Sequence, residues 1–343
     1  MIKITILHAG INHPSPFIHS LCIELDKYDD IKYEINPALP TEKSTYNCHV
    51  LYFHRLKRYY DSNDMNSGVE FINNVKNLKI LGYKIAWTIH NFLPIDRKIT
   101  EVDEFVLRQF LSLADCLFTL TNNMKQSLKN NFNVDSIMHS IGINTLDGWF
   151  DKETIDLSFL PDNAFLITFV GNVAPYKQIQ KIIDYFNQIH NDNTYLLIAG
   201  QQAKNIDIHL NINNANIIRY DKFVGASSWD KICEKTNVFI NLYDLNYENF
   251  KYGFFPSNSV TLSQKGIKVI TPNSEIVNEL LPEEARISFD FNNDESLLKS
   301  MEKAIKQNKK LVFDVNNDIS NKYSWAKTTQ IVVESLRNLF EKE

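Results

Sequence analysis

Residues 165–184 read FLITFVGNVAPYKQIQKIID, and this stretch decides the fold. An apolar run over 165–170 ends at Gly171, a loop with Pro175 follows, and from Lys177 onward Ile179, Ile182, Ile183 and Phe186 recur at helical spacing. The pattern predicts a strand, a turn and a helix. A strand that is apolar throughout is the kind buried on both faces of a parallel sheet, and the helix start beyond it offers unpaired N–H groups and a positive dipole end to an anion. Lys177 adds a full charge there. The chemical reading is an anion site; the plain alternative is an ordinary strand-to-helix turn with a solvated lysine.

The same alternation extends outward. On the N-terminal side, strands are expected at 2–7, 31–35, 48–54, 84–89, 116–120 and 136–139. Helices are expected at 17–28, 69–81, 101–113 and 121–132, with Gly82 as a helix stop. On the C-terminal side, strands are expected at 195–199, 217–220, 238–242 and 268–271, and a long amphipathic helix at 323–340. Periodicity fades over 151–163, where Pro161, Asp162 and Asn163 cluster. The expectation is an α/β chain of two doubly wound parallel-sheet, Rossmann-like domains, 1–155 and 156–322, with a helix in 323–343 that packs back and can cross to the first domain. Two such domains facing each other enclose a central cleft lined by strand carboxyl ends, where α/β sheets bind ligands.

Composition narrows the function. The 343 residues are enough for two cores. A net charge of -5 gives no global basic field for nucleic acid. Cys22, Cys48, Cys116 and Cys233 form no paired motif and suggest buried thiols in a reducing compartment. The opening MIKITILHAG lacks the pattern of a signal peptide, and no apolar run reaches the roughly 20 residues that span a bilayer. A soluble, cytoplasmic protein is expected. Neither half carries G-x-G-x-x-G or a Walker A sequence, which disfavours dinucleotide oxidoreductases and P-loop NTPases.

Three loops at expected strand ends look chemical. In WTIHNFLP (87–94), His90 is placed to orient a sugar hydroxyl or meet developing charge, with Asn91 beside it; a histidine serving a nearby carbonyl is the alternative. The second loop is Gly171 to Lys177. In the third, YGFFPSNSVTLSQK (252–265), Ser257, Asn258 and Ser259 stand at a helix start, where small polar side chains either cap the helix or leave its N–H groups to phosphate oxygens. A basic and aromatic cluster, HRLKRYY (54–60), reads either as a meeting point for a lipid-linked diphosphate at a membrane face or as a solvated helix face over packed tyrosines.

With these motifs in view, the whole chain resembles a GT-B glycosyltransferase, most similar to glycosyltransferase family 4 and its relatives that build bacterial capsules, lipopolysaccharides and exopolysaccharides. GNVAPYK (171–177) resembles the family's G-R-L-x-P-x-K, LLIAG (196–200) its L-x-I-x-G, and PSNSVTLSQKGIKVI (256–270) its P-x-K-x-x-E-x-x-x-x-G-K-P-V-I. WTIHN resembles T-x-H-N, and YSWAKTT (323–329) the closing F-S-W. The resemblance implies a nucleoside-diphosphate-sugar donor held mainly by the second domain and a glycan or lipid-linked acceptor held by the first. Transfer would retain configuration, with no nucleic acid partner and possible peripheral contact with the inner membrane. Lys177 matches the diphosphate-binding lysine and His90 the histidine near the reacting carbon. Donor contacts then fall to Gly171, Asn172, Lys177, Glu248, Ser257, Asn258, Ser259 and Thr261, and acceptor contacts to Gly10, His13, Asn91 and Arg55. The chain departs from the family at Asn172, where arginine is usual, at Asn258, often lysine, and at Thr261, the second glutamate of Glu-x7-Glu. Gly253 occupies the first glutamate's place, and Glu248 is the nearby carboxylate able to substitute. No metal is expected, because Lys177 and helix N-termini stand in for one and no Asp-x-Asp ends a strand. The rival readings are a glycan- or nucleotide-sugar-binding protein that has lost catalysis, and a sugar-nucleotide epimerase.

Overall fold

The computed structural model describes residues 1–8, 15–139, 153–189, 191–202, 208–315 and 323–341. Strands and helices alternate in the first half: β1 (Ile2–Leu7), α1 (Pro16–Leu25), β2 (Ile31–Asn36), β3 (His49–Phe53), α2 (Met65–Ile80), β4 (Tyr83–Ile89), α3 (Glu101–Leu113), β5 (Cys116–Thr119), α4 (Asn122–Phe132) and β6 (Ile137–Met138). The second half continues with β7 (Phe165–Val170), α5 (Ile179–Ile189), β8 (Thr194–Ala199), β9 (Ile217–Tyr220), α6 (Ala226–Lys235), β10 (Val238–Ile240), α7 (Ser257–Ser263), β11 (Val269–Pro272), α8 (Glu275–Leu280), β12 (Arg286–Phe289), α9 (Asp294–Lys306) and α10 (Trp325–Arg337). Two six-stranded sheets result, ordered β2-β1-β3-β4-β5-β6 and β12-β11-β10-β7-β8-β9. Every ladder is parallel. The two doubly wound sheets expected from the sequence are therefore present.

The chain divides into two compact units, and the division is not a single cut. Unit 1 gathers 1–145, Glu248–Phe255 and 318–343; unit 2 gathers 146–247 and 256–317. The short excursion Glu248–Phe255 is tied into unit 1: Asn249 donates to the carbonyls of Pro94 and Arg97, Lys251 pairs with Glu104, and Phe254 bridges Asn91 in antiparallel fashion. The last helix, α10, packs on α1, where Trp325 meets Phe17 edge-on at 5.1 Å and Arg337 chelates Asp30 at 2.7 and 3.0 Å.

In unit 2, successive residues of β7 serve opposite faces, as the pleat requires. Phe165, Ile167 and Phe169 join Ile182, Ile183 and Phe186 of α5 in one core. Leu166 joins Trp229, Ile232 and Phe239 in the other. This double burial is why the run is apolar at every position. In unit 1, Thr100 and Asp103 form a reciprocal cap on α3, and Thr121 caps α4 by accepting from the Met124 N–H.

The order of unit 2, read in chain sequence as 3-2-1-4-5-6, reverses direction between β7 and β10, and unit 1 reverses between β1 and β3. Crevices at such points receive ligands at the strands' carboxyl ends. In unit 2 the strand ends are drawn together by two glycines. Gly200 has φ +139°, and a Cβ there would lie 2.1 Å from the Gly171 carbonyl oxygen. Gly171 has φ +133°, and its Cβ would collide with the Asn258 amide at 2.1 Å. Both conformations are the glycine-favoured kind, and the first contact is with backbone that cannot turn aside. Gly200→Ala is expected to destabilise unit 2 by about 3 kcal/mol, combining backbone strain with overpacking. Denaturant unfolding monitored at Trp229, which lies in the unit 2 core, checks it.

Candidate functional site

The turn after β7 does not present Lys177 at the rim of a helix. Pro175–Lys177 form a 3-10 turn, Gln178 adopts a left-handed conformation (φ 47°), and α5 begins only at Ile179. Lys177 consequently points inward and is only 4% exposed. Its Nζ donates to Asn241 Oδ1 at 3.1 Å and sits 3.6 Å from the centre of the Tyr243 ring. No carboxylate is within ion-pair distance of it among the described residues. The solvated-lysine alternative is thereby corrected: the loop's backbone, not the helix start, decides where this side chain goes.

The site grows around Asn241, fully buried just beyond β10. Its amide nitrogen donates to Ser259 Oγ at 2.9 Å and to Tyr243 Oη at 3.1 Å, leaving the carbonyl oxygen for Lys177. Lys177 and Asn241 thus meet at the β7/β10 reversal. Burial pushes the Lys177 ammonium well below its usual range and raises the Tyr243 phenol, so the ring stays neutral. A ring face contributes about 2 kcal/mol to a desolvated cation and a charged hydrogen bond about 2 kcal/mol, against a burial cost of several kcal/mol for an ion without a counter-charge.

The serines and asparagine at the start of α7 do not cap it. Pro256 occupies the N-cap position with no side-chain bond to the helix. Ser257 is exposed and Ser259 buried on Asn241. Asn258 reaches back to the Val170 carbonyl at 2.9 Å, against Gly171. Thr261 donates its hydroxyl to the Ser257 carbonyl at 3.1 Å, a bond within its own helix. Asn172 is exposed in the loop. Of the donor residues expected from the sequence, Lys177 and Ser259 meet through Asn241, and Asn258 lies separately on the Val170 carbonyl against Gly171. Glu248 opens the excursion that belongs to unit 1. Asn241 and Tyr243 were not foreseen. Their signal was a polar residue in an otherwise apolar strand run, VFINLY.

In unit 1, histidines follow four strands: His8 after β1, His54 after β3, His90 after β4 and His139 after β6. The His54 and His90 rings meet edge to face at 4.3 Å, and Phe17 lies 4.5 Å from His90 and 5.1 Å from His54. His54 Nδ1 and His90 Nε2 are buried without hydrogen-bond partners. Burial, with the Arg55 and His139 charges behind it, lowers His90 to about 3. Burial, then His90 and Arg55, lowers His54 well below its ordinary value. Both rings are neutral near pH 7, so His90 can orient a hydroxyl but supplies no positive charge. Asn91 is half-buried and bridged to Phe254. Arg55 is exposed at the start of the 3-10 turn Leu56–Arg58. The rest of HRLKRYY is largely structural: Lys57 pairs with Asp96, Tyr59 and Tyr60 stack on Phe71 at 5.6 and 6.1 Å, and Tyr60 donates to Asp103 at 2.6 Å. Gly10 and His13 lie outside the described residues. Among the described residues no group of three histidine, cysteine or acidic side chains is arranged to hold a metal, and no helix is long and apolar enough to cross a membrane.

Residues 151–318 match the family described as glycosyl transferases group 1. No curated protein matches the chain in sequence. Solved structures do match in shape. Anabaena HepE, in complex with UDP and glucose, superposes with a TM-score of 0.65 at 11% identity over 98% of this chain and 100% of its own. Sucrose-phosphate synthase from Thermosynechococcus elongatus gives 0.63 at 12% identity, covering 99% of this chain and 95% of its own. A Listeria monocytogenes protein assigned as a UDP-N-acetylglucosamine 2-epimerase gives 0.56 at 11% identity, covering 100% and 97%. At such identities the likeness establishes the fold, which is GT-B. The group 1 domain together with that fold defines the class: the chain is a glycosyltransferase.

The neutral histidines give unit 1 a particular acid sensitivity. A ring whose folded pKa is depressed contributes stability that is present above the unfolded value near 6.5 and is lost as pH falls toward the folded one. Between about pH 6.5 and pH 5, His90 is expected to remove about 2 kcal/mol, and His54 adds a loss of the same sign. Hydrogen-exchange protection of the unit 1 sheet amides should show that loss in the wild type and a shallower one in His54→Gln.

Proposed function

We propose that the chain transfers a sugar from a nucleoside-diphosphate sugar to a hydroxyl of a bacterial surface glycan or lipid-linked oligosaccharide, with retention of configuration. The observation that carries this reading is the buried Lys177 ammonium, uncompensated at the crevice where an α/β sheet receives its ligand. The bond to break lies between the sugar carbon and the diphosphate, and negative charge accumulates on the departing diphosphate. A cation already desolvated and held in place stabilises that charge more in the transition state than in the ground state. Ser257 and Ser259, at the start of α7, are assigned to the same diphosphate, and Gly171 lets the loop backbone approach it. His90, as a neutral imidazole, orients a sugar hydroxyl. The acceptor is assigned to unit 1, where Arg55 and Arg58, both exposed, would meet an anionic, lipid-linked substrate at a membrane surface. UDP-glucose is a reasonable first donor to try, since HepE is complexed with UDP and glucose.

A second reading, a sugar-nucleotide-binding protein without turnover, is favoured by Thr261. Its hydroxyl is committed to its own helix where relatives of this motif carry a carboxylate. Turnover separates the two.

Thermal-shift screening of nucleotides identifies the donor base, since a ligand that binds only the folded state raises its stability. With the donor in hand, Lys177→Met is expected to lower kcat/KM by a factor on the order of 100, or ~2.7 kcal/mol. The unfolding temperature should not fall, because an apolar side chain of similar volume replaces an unpaired buried charge. Lys181, half-buried and paired with Asp294 at 2.6 Å, is the control, and Lys181→Met should leave kcat/KM within about twofold. Equal, small losses in the two variants would overturn the assignment.

A further inference from the structure

The residue given to Lys177 as its partner is as informative as Lys177 itself. Lysines buried to this degree are ordinarily met by a carboxylate. Here the atom facing Nζ belongs to an amide, Asn241 Oδ1, and the amide's orientation is set by the two bonds its nitrogen donates to Ser259 and Tyr243. The other neighbours of Nζ are aromatic faces, the neutral Tyr243 ring at 3.6 Å and the Tyr176 ring at 5.6 Å. We propose that Asn241 is a positioning residue of the donor site, which holds the Lys177 ammonium at the β7/β10 reversal without neutralising it, so that the donor's diphosphate supplies the missing counter-charge. This rests on the reading of Lys177 given above.

The geometry permits a sharp contrast. Aspartate has nearly the shape of asparagine, and the hydroxyls of Ser259 and Tyr243, which accept from Asn241 now, can donate to a carboxylate instead. Asn241→Asp therefore keeps the network and changes one thing, the charge opposite Nζ. It turns a lysine awaiting an anion into a closed ion pair. Asn241→Ser keeps a neutral acceptor on a shorter side chain and disturbs packing more than charge.

Titration calorimetry with UDP, ADP and GDP, alongside thermal unfolding, tests the proposal. The expected result is that Asn241→Asp loses affinity on the order of 30-fold for whichever nucleotide the wild type binds, with an unfolding temperature equal to or above that of the wild type, whereas Asn241→Ser loses only a few-fold. A purely structural role for Asn241 gives the opposite order, with serine the more harmful. Unchanged affinity in Asn241→Asp, or a serine variant as impaired as the aspartate, overturns the proposal. If Asn241→Asp does not fold, Asn241→Ser decides alone: a loss of more than about tenfold in nucleotide affinity overturns the proposal, and a loss of only a few-fold upholds it. A wild type that binds none of the three nucleotides overturns the Lys177 reading itself, and this inference with it.

Discussion

A cation withdrawn from water is stable only if something in its surroundings replaces the water, and in unit 2 the replacement for Lys177 is incomplete. One amide oxygen at 3.1 Å and one aromatic face at 3.6 Å offset much of the cost of burial, and neither carries charge. The strand ends, the αL residue Gln178 and the start of α7 are all arranged around this ammonium. The loop turns inward because Gln178 breaks the passage from the 3-10 turn into α5. Asn241 is held by Ser259, so the position of α7 and the orientation of the lysine's partner are one constraint. The Gly171 and Gly200 conformations serve the same end: without side chains, the ends of β7 and β8 close up, and Asn258 can settle on the Val170 carbonyl.

Unit 1 solves a different electrostatic problem with the same topology. Histidines follow its strands where unit 2 has glycine, lysine and asparagine, and the rings of His54 and His90, each with one nitrogen lacking a hydrogen-bond partner, are kept uncharged by burial. The difference between the units comes from which side chains end the strands, since fold alone does not fix reaction.

The fold was legible because its signals are local. Continuous apolar runs such as 165–170 mark strands covered on both faces, and the 3.6-residue spacing of Ile179, Ile182, Ile183 and Phe186 marks the helix between them. The strand β12 was not read, since RISF at a sheet edge is only partly buried and carries no such run. The site was legible only as residue types. Lys177 stood out by its motif, but its inward direction depends on one backbone conformation at Gln178, a residue that seldom adopts it. Asn241 and Tyr243 escaped notice because their roles arise where β10 lies beside β7, some seventy residues away in sequence. The membership of Glu248 in unit 1 was equally hidden: Asn249 is held by the carbonyls of Pro94 and Arg97, more than 150 positions upstream.

The way the units interleave bears on how the molecule is made. Unit 1 takes its last pieces from Glu248–Phe255 and from α10, so β1 and α1 belong to a body that cannot close until segments much further along the chain have followed. Unit 2 is the more nearly continuous of the two and is interrupted only by that eight-residue excursion. Vectorial synthesis ordinarily lets an N-terminal domain fold first. Here the order is inverted in its completion: α1 waits for α10, with Phe17 lacking its Trp325 neighbour during the interval, and α10 acts as the closing stitch of unit 1. A chain cut at the start of α10 loses the covering of a core laid down some three hundred residues earlier, a dependence that a map of consecutive domains does not reveal.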